Sequence, residues 1–149
     1  MSGGARPTRI ALIGMGKMGR TLQALAAERG LAVVATLDHG DAITRASLAD
    51  ADVAIEFTEP AAAVANVHAC LAAGVPVVVG TTGWHERLEE VTRAVRAAGG
   101  RMLWASNFSL GVNAFRAIVA AAGRVLREAG FDAHLVETHH TAKKDASSG

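Results

Sequence analysis

The sequence lacks the features that mark several specialised classes of protein. It contains one cysteine, Cys70, so no disulfide can form within the chain, and such a composition suits a reducing compartment. The net charge of +1 gives no electrostatic case for binding nucleic acid or an anionic membrane surface. No apolar run approaches the roughly 20 residues of a membrane span, and no signal-peptide hydrophobic segment follows residues 1–8. We therefore expect a cytoplasmic globular protein with neither nucleic acid nor a membrane as partner.

One glycine-rich turn stands out near the N-terminus. The apolar run Ile10–Ile13 stops at Gly14-Met15-Gly16-Lys17-Met18-Gly19, a helical pattern follows, and a second apolar run, Leu31–Leu37, ends at Asp38. Strand, glycine turn, helix, strand and acid in this order are typical of a dinucleotide-binding unit. We expect residues 14–19 to approach a pyrophosphate and Asp38 to bind the adenosine ribose. The alternative is a chance glycine-rich turn in an α/β core.

The rest of the chain repeats the alternation of strand and helix. Further strands are predicted at Asp52–Phe57, Val75–Val79 and Met102–Ala105, with helices between them. This pattern predicts a Rossmann-type α/β fold, a doubly wound parallel sheet with helices on both faces. We assign residues 1–8 to a disordered lead-in and residues 9–108 to a dinucleotide-binding domain.

The pattern changes after Ser109. A long helix and a strand at Phe131–Thr138 are predicted there, and these two elements cannot bury a core by themselves. Residues 109–149 are therefore expected to pack on the first domain or to begin a second, α+β domain. We favour the second domain, incomplete in this sequence.

Ligands of an open parallel sheet bind beyond the carboxyl ends of its strands. Two later loops lie at these ends in the predicted fold, and we expect their residues to contact a cofactor: Gly80, Thr81, Thr82, Ala105, Ser106, Asn107 and Phe108. The glycines allow close backbone approach and the threonines supply hydroxyl groups. An ordinary strand–helix turn with a threonine cap would explain residues 80–83 equally well.

The last eleven residues carry an unusual set of polar groups. His139 and His140 can donate protons near neutral pH, and Lys143 supplies a cation for an anionic substrate. Ser148 and Gly149 offer a hydroxyl and N–H groups suited to a carboxylate. Adjacent histidines in extended chain point in opposite directions, so we predict no metal site. A solvated basic tail is the alternative.

These motifs, in this order, resemble those of the dihydrodipicolinate reductase family. The resemblance rests on Gly14–Arg20, Phe57-Thr58-x-Pro60, Gly80–Gly83, Ser106–Asn113 and the segment Glu137-x-His139-His140-x-x-Lys143-x-Asp145-x-x-Ser148-Gly149. It implies an oxidoreductase that reduces a cyclic unsaturated dicarboxylate with NADH or NADPH in diaminopimelate and lysine biosynthesis. It also implies a second domain with a mixed sheet and, for the full-length protein, a homotetramer.

The resemblance assigns roles to individual residues. His139 matches the proton donor of the family, and Lys143 matches the basic residue that assists protonation and holds the substrate. Residues matching contacts to the substrate carboxylates are His140, Thr82, Ser148 and Gly149. Residues matching cofactor contacts are those of the glycine turn, Asp38, Gly80–Thr82 and Ala105–Phe108.

The cofactor preference follows from Asp38. A carboxylate there binds a ribose diol and repels a 2′-phosphate, so we predict a preference for NADH. Lys17 and His39 can offset this repulsion, which keeps NADPH as a second candidate.

The sequence also departs from the family pattern. Ser147 stands where the family has proline, and Glu59 stands where many members carry a basic residue. We expect the sequence to be part of a longer enzyme, and the 149-residue chain to have little or no activity. Two other functions remain open: an aspartate-dehydrogenase-like enzyme of small amino or keto acids, and a non-catalytic nucleotide-sensing module.

Overall fold

A computed structural model describes residues 6–134 and 136. The chain divides into two compact units, Met1–Ala105 and Ser106–Gly149. The elements of the first unit, in chain order, are β1 (Thr8–Ile13), α1 (Lys17–Ala26), β2 (Leu31–Leu37), β3 (Val53–Glu56), α2 (Pro60–Ala72), β4 (Val77–Val79), α3 (Leu88–Ala97) and β5 (Met102–Trp104). The second unit contains α4 (Leu110–Glu128).

The five strands form one parallel sheet in the order β2-β1-β3-β4-β5. The chain winds outward from β1 in one direction and from β3 in the other, so the topology switches between these two strands. Helix α1 packs on one face of the sheet, and α2 and α3 pack on the other. The predicted α/β, Rossmann-type, doubly wound sheet is confirmed.

Strand β1 supplies side chains to the cores on both faces of the sheet. Ile10 and Leu12 join the cluster beneath α1, whereas Ala11 and Ile13 join the cluster beneath α2 and α3. All four are buried. A continuous apolar run, rather than an alternating one, is what a parallel strand covered on both faces requires.

The polar connection between β2 and β3 is fixed to the core by apolar residues. Leu48 and Ala51 are both buried in the cluster beneath α2 and α3. These two buried side chains anchor the connection to the core. The first residues of the connection follow β2 at the carboxyl edge of the sheet.

The N-terminal segment begins the sheet earlier than predicted. Thr8 already belongs to β1, and Arg6 donates two hydrogen bonds to the Asp52 carboxylate at 2.7 and 2.9 Å. These bonds, and one from the N–H of Arg9, hold the pKa of Asp52 below its usual range. Thr8 therefore belongs to β1 rather than to a lead-in, and an ion pair joins the preceding Arg6 to the residue before β3.

Helix α4 begins at Leu110, directly after Ser109, as the sequence predicts. The Ser109 hydroxyl accepts a hydrogen bond from the N–H of Val112 at 3.4 Å and caps the helix. No residue of α4 is buried.

Within the described part of the chain, no helix combines the length and hydrophobicity needed to cross a membrane.

The strand predicted at Phe131–Thr138 is wrong where it can be compared. Residues 131–134 form no strand, and most of the remainder of the predicted segment lies outside the described residues. The alternation of side chains there is a local signal, whereas a strand needs a neighbour to bond its N–H and C=O groups. The assignment of residues 109–149 to a substrate-binding domain stays a prediction.

Cys70 provides a test of the packing beneath α2. Burial, together with the nearby Glu56 carboxylate, raises the pKa of Cys70 to about 12, and the thiol is fully buried. The native protein should therefore resist a disulfide reagent at pH 8, and one thiol per chain should react after urea unfolding. Rapid, complete labelling in native buffer would contradict the packing described here.

Candidate functional site

A pocket of about 430 Å³ opens at the carboxyl edge of the sheet, above the switch between β1 and β3. Open α/β sheets bind ligands at such a switch point, and the volume lies within the range of small-molecule sites. Three segments line it: the glycine turn after β1, the residues that follow β2, and the residues that follow β3.

The glycine turn is shaped by close backbone contacts. Gly14 has a φ of +92°, and a Cβ on it would lie 2.1 Å from the carbonyl oxygen of Phe57. A Cβ on Gly19 would lie 2.0 Å from the carbonyl oxygen of Gly14, so α1 approaches β1 as closely as only glycine permits. Both positions therefore exclude any side chain.

Gly16 is different, because a Cβ there would meet no atom within 4 Å. Gly16 is also the N-cap of α1, and no side chain caps this helix. The first N–H groups of α1 are thus left for a ligand, and a helix N-terminus attracts anions. This open space before an uncapped helix fits the pyrophosphate of a dinucleotide.

The segment after β2 brings carboxylates to the rim of the pocket. Asp38 accepts a hydrogen bond from the N–H of Met15 at 3.3 Å, which ties it to the glycine turn. The N–H of Asp38 donates to the Asp41 carboxylate at 2.8 Å, and both acids line the pocket with His39. Asp41 is not among the predicted site residues, because its side chain bonds an N–H three residues earlier, whereas the usual aspartate turn bonds an N–H two residues onward.

The segment after β3 contains Thr58, which comes directly before Glu59 and the start of α2 at Pro60. A threonine near the start of a helix is a common cap, but Glu59 occupies the N-cap position and no side chain caps α2. The Thr58 hydroxyl instead donates to the Glu56 carboxylate, which is fully buried. The hydrogen of the Thr58 hydroxyl is thus directed to a buried acid two residues earlier, which is a strong acceptor.

The loop after β4 contacts the loop after β3 at two points. A Cβ on Gly80 would lie 2.1 Å from Cε1 of Phe57, so the phenyl ring occupies the space that a side chain would need. The hydroxyl of Thr81 accepts a hydrogen bond from the N–H of Thr58 at 2.7 Å. The backbone carbonyl of Thr81 accepts a second hydrogen bond, from the indole N–H of the buried Trp84 at 2.8 Å. Thr81 is thus bonded within the protein, while Thr82 is half-buried.

A family model described as "Dihydrodipicolinate reductase, N-terminus" matches residues 8–108. The chain belongs to the dihydrodipicolinate reductase family. The 4-hydroxy-tetrahydrodipicolinate reductase of Christiangramia forsetii is 37% identical over 143 residues, which cover 94% of this chain and 59% of that protein. The enzyme of the same name from Beutenbergia cavernae is 44% identical over 146 residues, 95% of this chain and 57% of that protein. The chain thus spans less than two thirds of these curated relatives.

Solved structures agree with the fold. A dipicolinate-bound dihydrodipicolinate reductase from Paenisporosarcina sp. TG-14 superposes with a TM-score of 0.62 at 24% identity, covering 76% of this chain and 54% of that one. A putative NADPH-dependent oxidoreductase from Desulfitobacterium hafniense superposes with a TM-score of 0.56 at 16% identity, covering 68% and 35%. At these identities, the likeness establishes the fold alone.

The family's motifs fall in three parts of the chain. The first unit holds the glycine turn, Asp38, Gly80–Thr82 and Ala105. The second unit begins with Ser106, Asn107 and Phe108, where the Asn107 side chain accepts from the N–H of Ser109 at 2.8 Å. Five predicted site residues lie outside the described residues: His139, His140, Lys143, Ser148 and Gly149. Their roles stay predictions.

The glycine turn offers a matched pair of substitutions. Gly19→Ala should lower the free energy of unfolding by about 3 kcal/mol, because the new methyl group collides with a backbone carbonyl that cannot move aside. Gly16→Ala should cost about 0.5 kcal/mol, since it only changes an N-cap residue. Urea denaturation measures both, and equal losses would contradict the contact between α1 and β1.

Proposed function

We propose that the first unit binds a nicotinamide nucleotide, and that the whole protein reduces a dihydrodipicolinate-type cyclic dicarboxylate in diaminopimelate and lysine biosynthesis. The observation that carries this proposal is the match of residues 8–108 to the family's N-terminal domain, combined with the open glycine turn at Gly16. When bound, the reduced nicotinamide supplies a hydride.

The residues of the pocket suit each part of a dinucleotide. The space at Gly16 admits the pyrophosphate, and the N-terminus of α1 favours its negative charge. The Asp38 carboxylate at the pocket rim accepts hydrogen bonds from the adenosine ribose. The loop after β4 follows a strand on the far side of the switch point and receives the nicotinamide half, a role that the resemblance also assigns to Ala105–Phe108.

The proton and the substrate contacts are assigned to the end of the chain by resemblance. Addition of a hydride leaves an electron-rich atom, which His139 protonates while Lys143 holds the substrate and assists. His140, Thr82, Ser148 and Gly149 bind the substrate carboxylates. Dipicolinate in the Paenisporosarcina structure is a dicarboxylate of the same kind. In this proposal residues 109–149 begin the substrate-binding domain, and the full-length protein is a homotetramer in the cytoplasm.

The charges around the adenosine end support NADH as the preferred cofactor. Asp38, Asp41 and Glu59 all line the pocket, against Lys17 at the start of α1 and the neutral or singly charged His39. A 2′-phosphate would bring about two further negative charges into this acidic surrounding. NADPH is therefore expected to bind more weakly, though still measurably.

The cofactor preference can be tested by binding alone. We expect the dissociation constant for NADH to be about tenfold lower than that for NADPH. Asp38→Asn should bring the two dissociation constants closer together, because it removes one charge that repels the 2′-phosphate. Asp50→Asn is the matched control, because it makes the same change of charge at an exposed position outside the pocket. Tighter binding of NADPH by the unaltered protein would refute this ranking.

The chemical role of the end segment is tested by two adjacent lysines in the full-length protein. Lys143→Ala should lower turnover about 100-fold, while the dissociation constant for NADH stays the same. Lys144→Ala is the control, since the family motif assigns no role to that position. Unchanged turnover in Lys143→Ala would remove the proposed role. No turnover by the unaltered protein, with NADH still bound, would point to a nucleotide sensor.

A further inference from the structure

Glu56 is a buried acid that the proposed reaction does not use. It ends β3 and has no exposed surface. Of the side chains in residues 6–134 and 136, it is the one buried carboxylate. Burying an acid costs free energy even when it is well bonded, and an apolar residue of similar size is often more stabilising. This cost points to a role for Glu56 beyond holding the fold together.

Within the described residues, the hydrogen bonds to this carboxylate all reach a single oxygen, and they come from residues that follow β3. Oε1 accepts from the Thr58 hydroxyl, from the N–H of Thr58 at 3.2 Å, and from the Asn66 amide at 3.3 Å. Oε2 has no hydrogen-bond partner in the described part of the chain. The acid thus acts on its surroundings through Thr58 and Asn66.

These two partners both line the pocket. Thr58 and Asn66 belong to its wall, and the Asn66 amide also donates to the Thr58 hydroxyl oxygen at 3.2 Å. The N–H of Thr58 donates in addition to the hydroxyl of Thr81, in the loop after β4. Glu56 therefore lies beneath a network that joins the pocket wall to the next loop of the same edge.

The network fixes the polarity of the Thr58 hydroxyl. A hydroxyl has one hydrogen to donate and two lone pairs that accept. Its hydrogen is directed to Glu56, and one lone pair is used by Asn66. What the hydroxyl retains for a ligand is one acceptor and no donor. Such a group binds a ligand hydroxyl or N–H and is unfavourable next to a phosphate oxygen, which is itself an acceptor.

We propose that Glu56 is a positioning residue that makes Thr58 an acceptor for a donor group of the bound nucleotide, such as a sugar hydroxyl. This inference rests on the proposed nucleotide binding and adds a determinant of how the nucleotide is recognised. Glu56 itself does not line the pocket. Its effect passes through the orientation of the hydroxyl and amide above it.

The test measures NADH affinity in a double-mutant cycle. Thr58→Val and Glu56→Gln should each raise the dissociation constant about tenfold, because each removes or reorients the acceptor. Thr58→Ser keeps the hydroxyl and should retain the original affinity. The double variant should bind no more weakly than either single one, since both act through the same group.

A core variant separates positioning from general destabilisation. Val67→Ala removes a buried side chain of α2 that lies outside the pocket, so it should lower the melting temperature without changing NADH affinity. An equal loss of affinity in Val67→Ala would assign the effect of Glu56→Gln to stability and overturn the inference. Additive losses in the double variant would overturn it too.

The remaining outcomes distinguish the two proposals. If the unaltered protein binds NADH and Glu56→Gln binds it equally well, the role of Glu56 is wrong and nucleotide binding stands. If Glu56→Gln does not fold, the comparison of Thr58→Val with Thr58→Ser decides, and equal affinities refute the inference. If the unaltered protein binds neither NADH nor NADPH, the proposed function fails and the inference fails with it.

Discussion

The contact between the backbones of Gly19 and Gly14 is the constraint on which the site depends. There is no room for even a methyl group between the α carbon of Gly19 and the carbonyl oxygen of Gly14. Helix α1 is thereby held against the end of β1, a strand whose side chains are buried on both faces of the sheet. A rigid sheet thus fixes the direction of the helix, and the N-terminus of the helix faces the pocket edge.

The same edge shows how polar groups are placed above an apolar core. The core ends at the last residues of β1 and β3, and hydrogen bonds between loops take over from packing beyond that point. Asp38 bonds to Met15 and Thr58 bonds to Thr81, so each loop is held by its neighbour rather than by its own turn alone. Glu56 belongs to both regions, because it is buried like a core residue yet bonds only to the residues of the edge.

The sequence was sufficient for features that depend on local patterns. The parallel strands, the glycine turn and the position of Asp38 after β2 could all be predicted, since apolar runs and glycine spacing depend directly on backbone geometry. Glu56 and Asn66 could not be predicted, because their partnership is a contact across ten residues that no local pattern encodes. Side-chain alternation over residues 131–134 predicts a strand that does not form, because alternation carries no information about a pairing partner. Asp41 could not be predicted either, because its side chain bonds an N–H three residues earlier rather than two residues onward.

The proposed reaction divides its two requirements between different segments of the chain. Every residue proposed to hold the pyrophosphate and the adenosine ribose lies in the first unit, whereas the proposed proton donor and its assisting lysine lie beyond residue 138. Nucleotide affinity and turnover are therefore separable properties of this protein. A substitution in the glycine turn should weaken nucleotide binding. A substitution beyond residue 138 should instead slow proton transfer while the nucleotide stays bound. An enzyme and a nucleotide sensor can therefore be distinguished, because both functions need the first unit and only an enzyme needs the residues beyond residue 138.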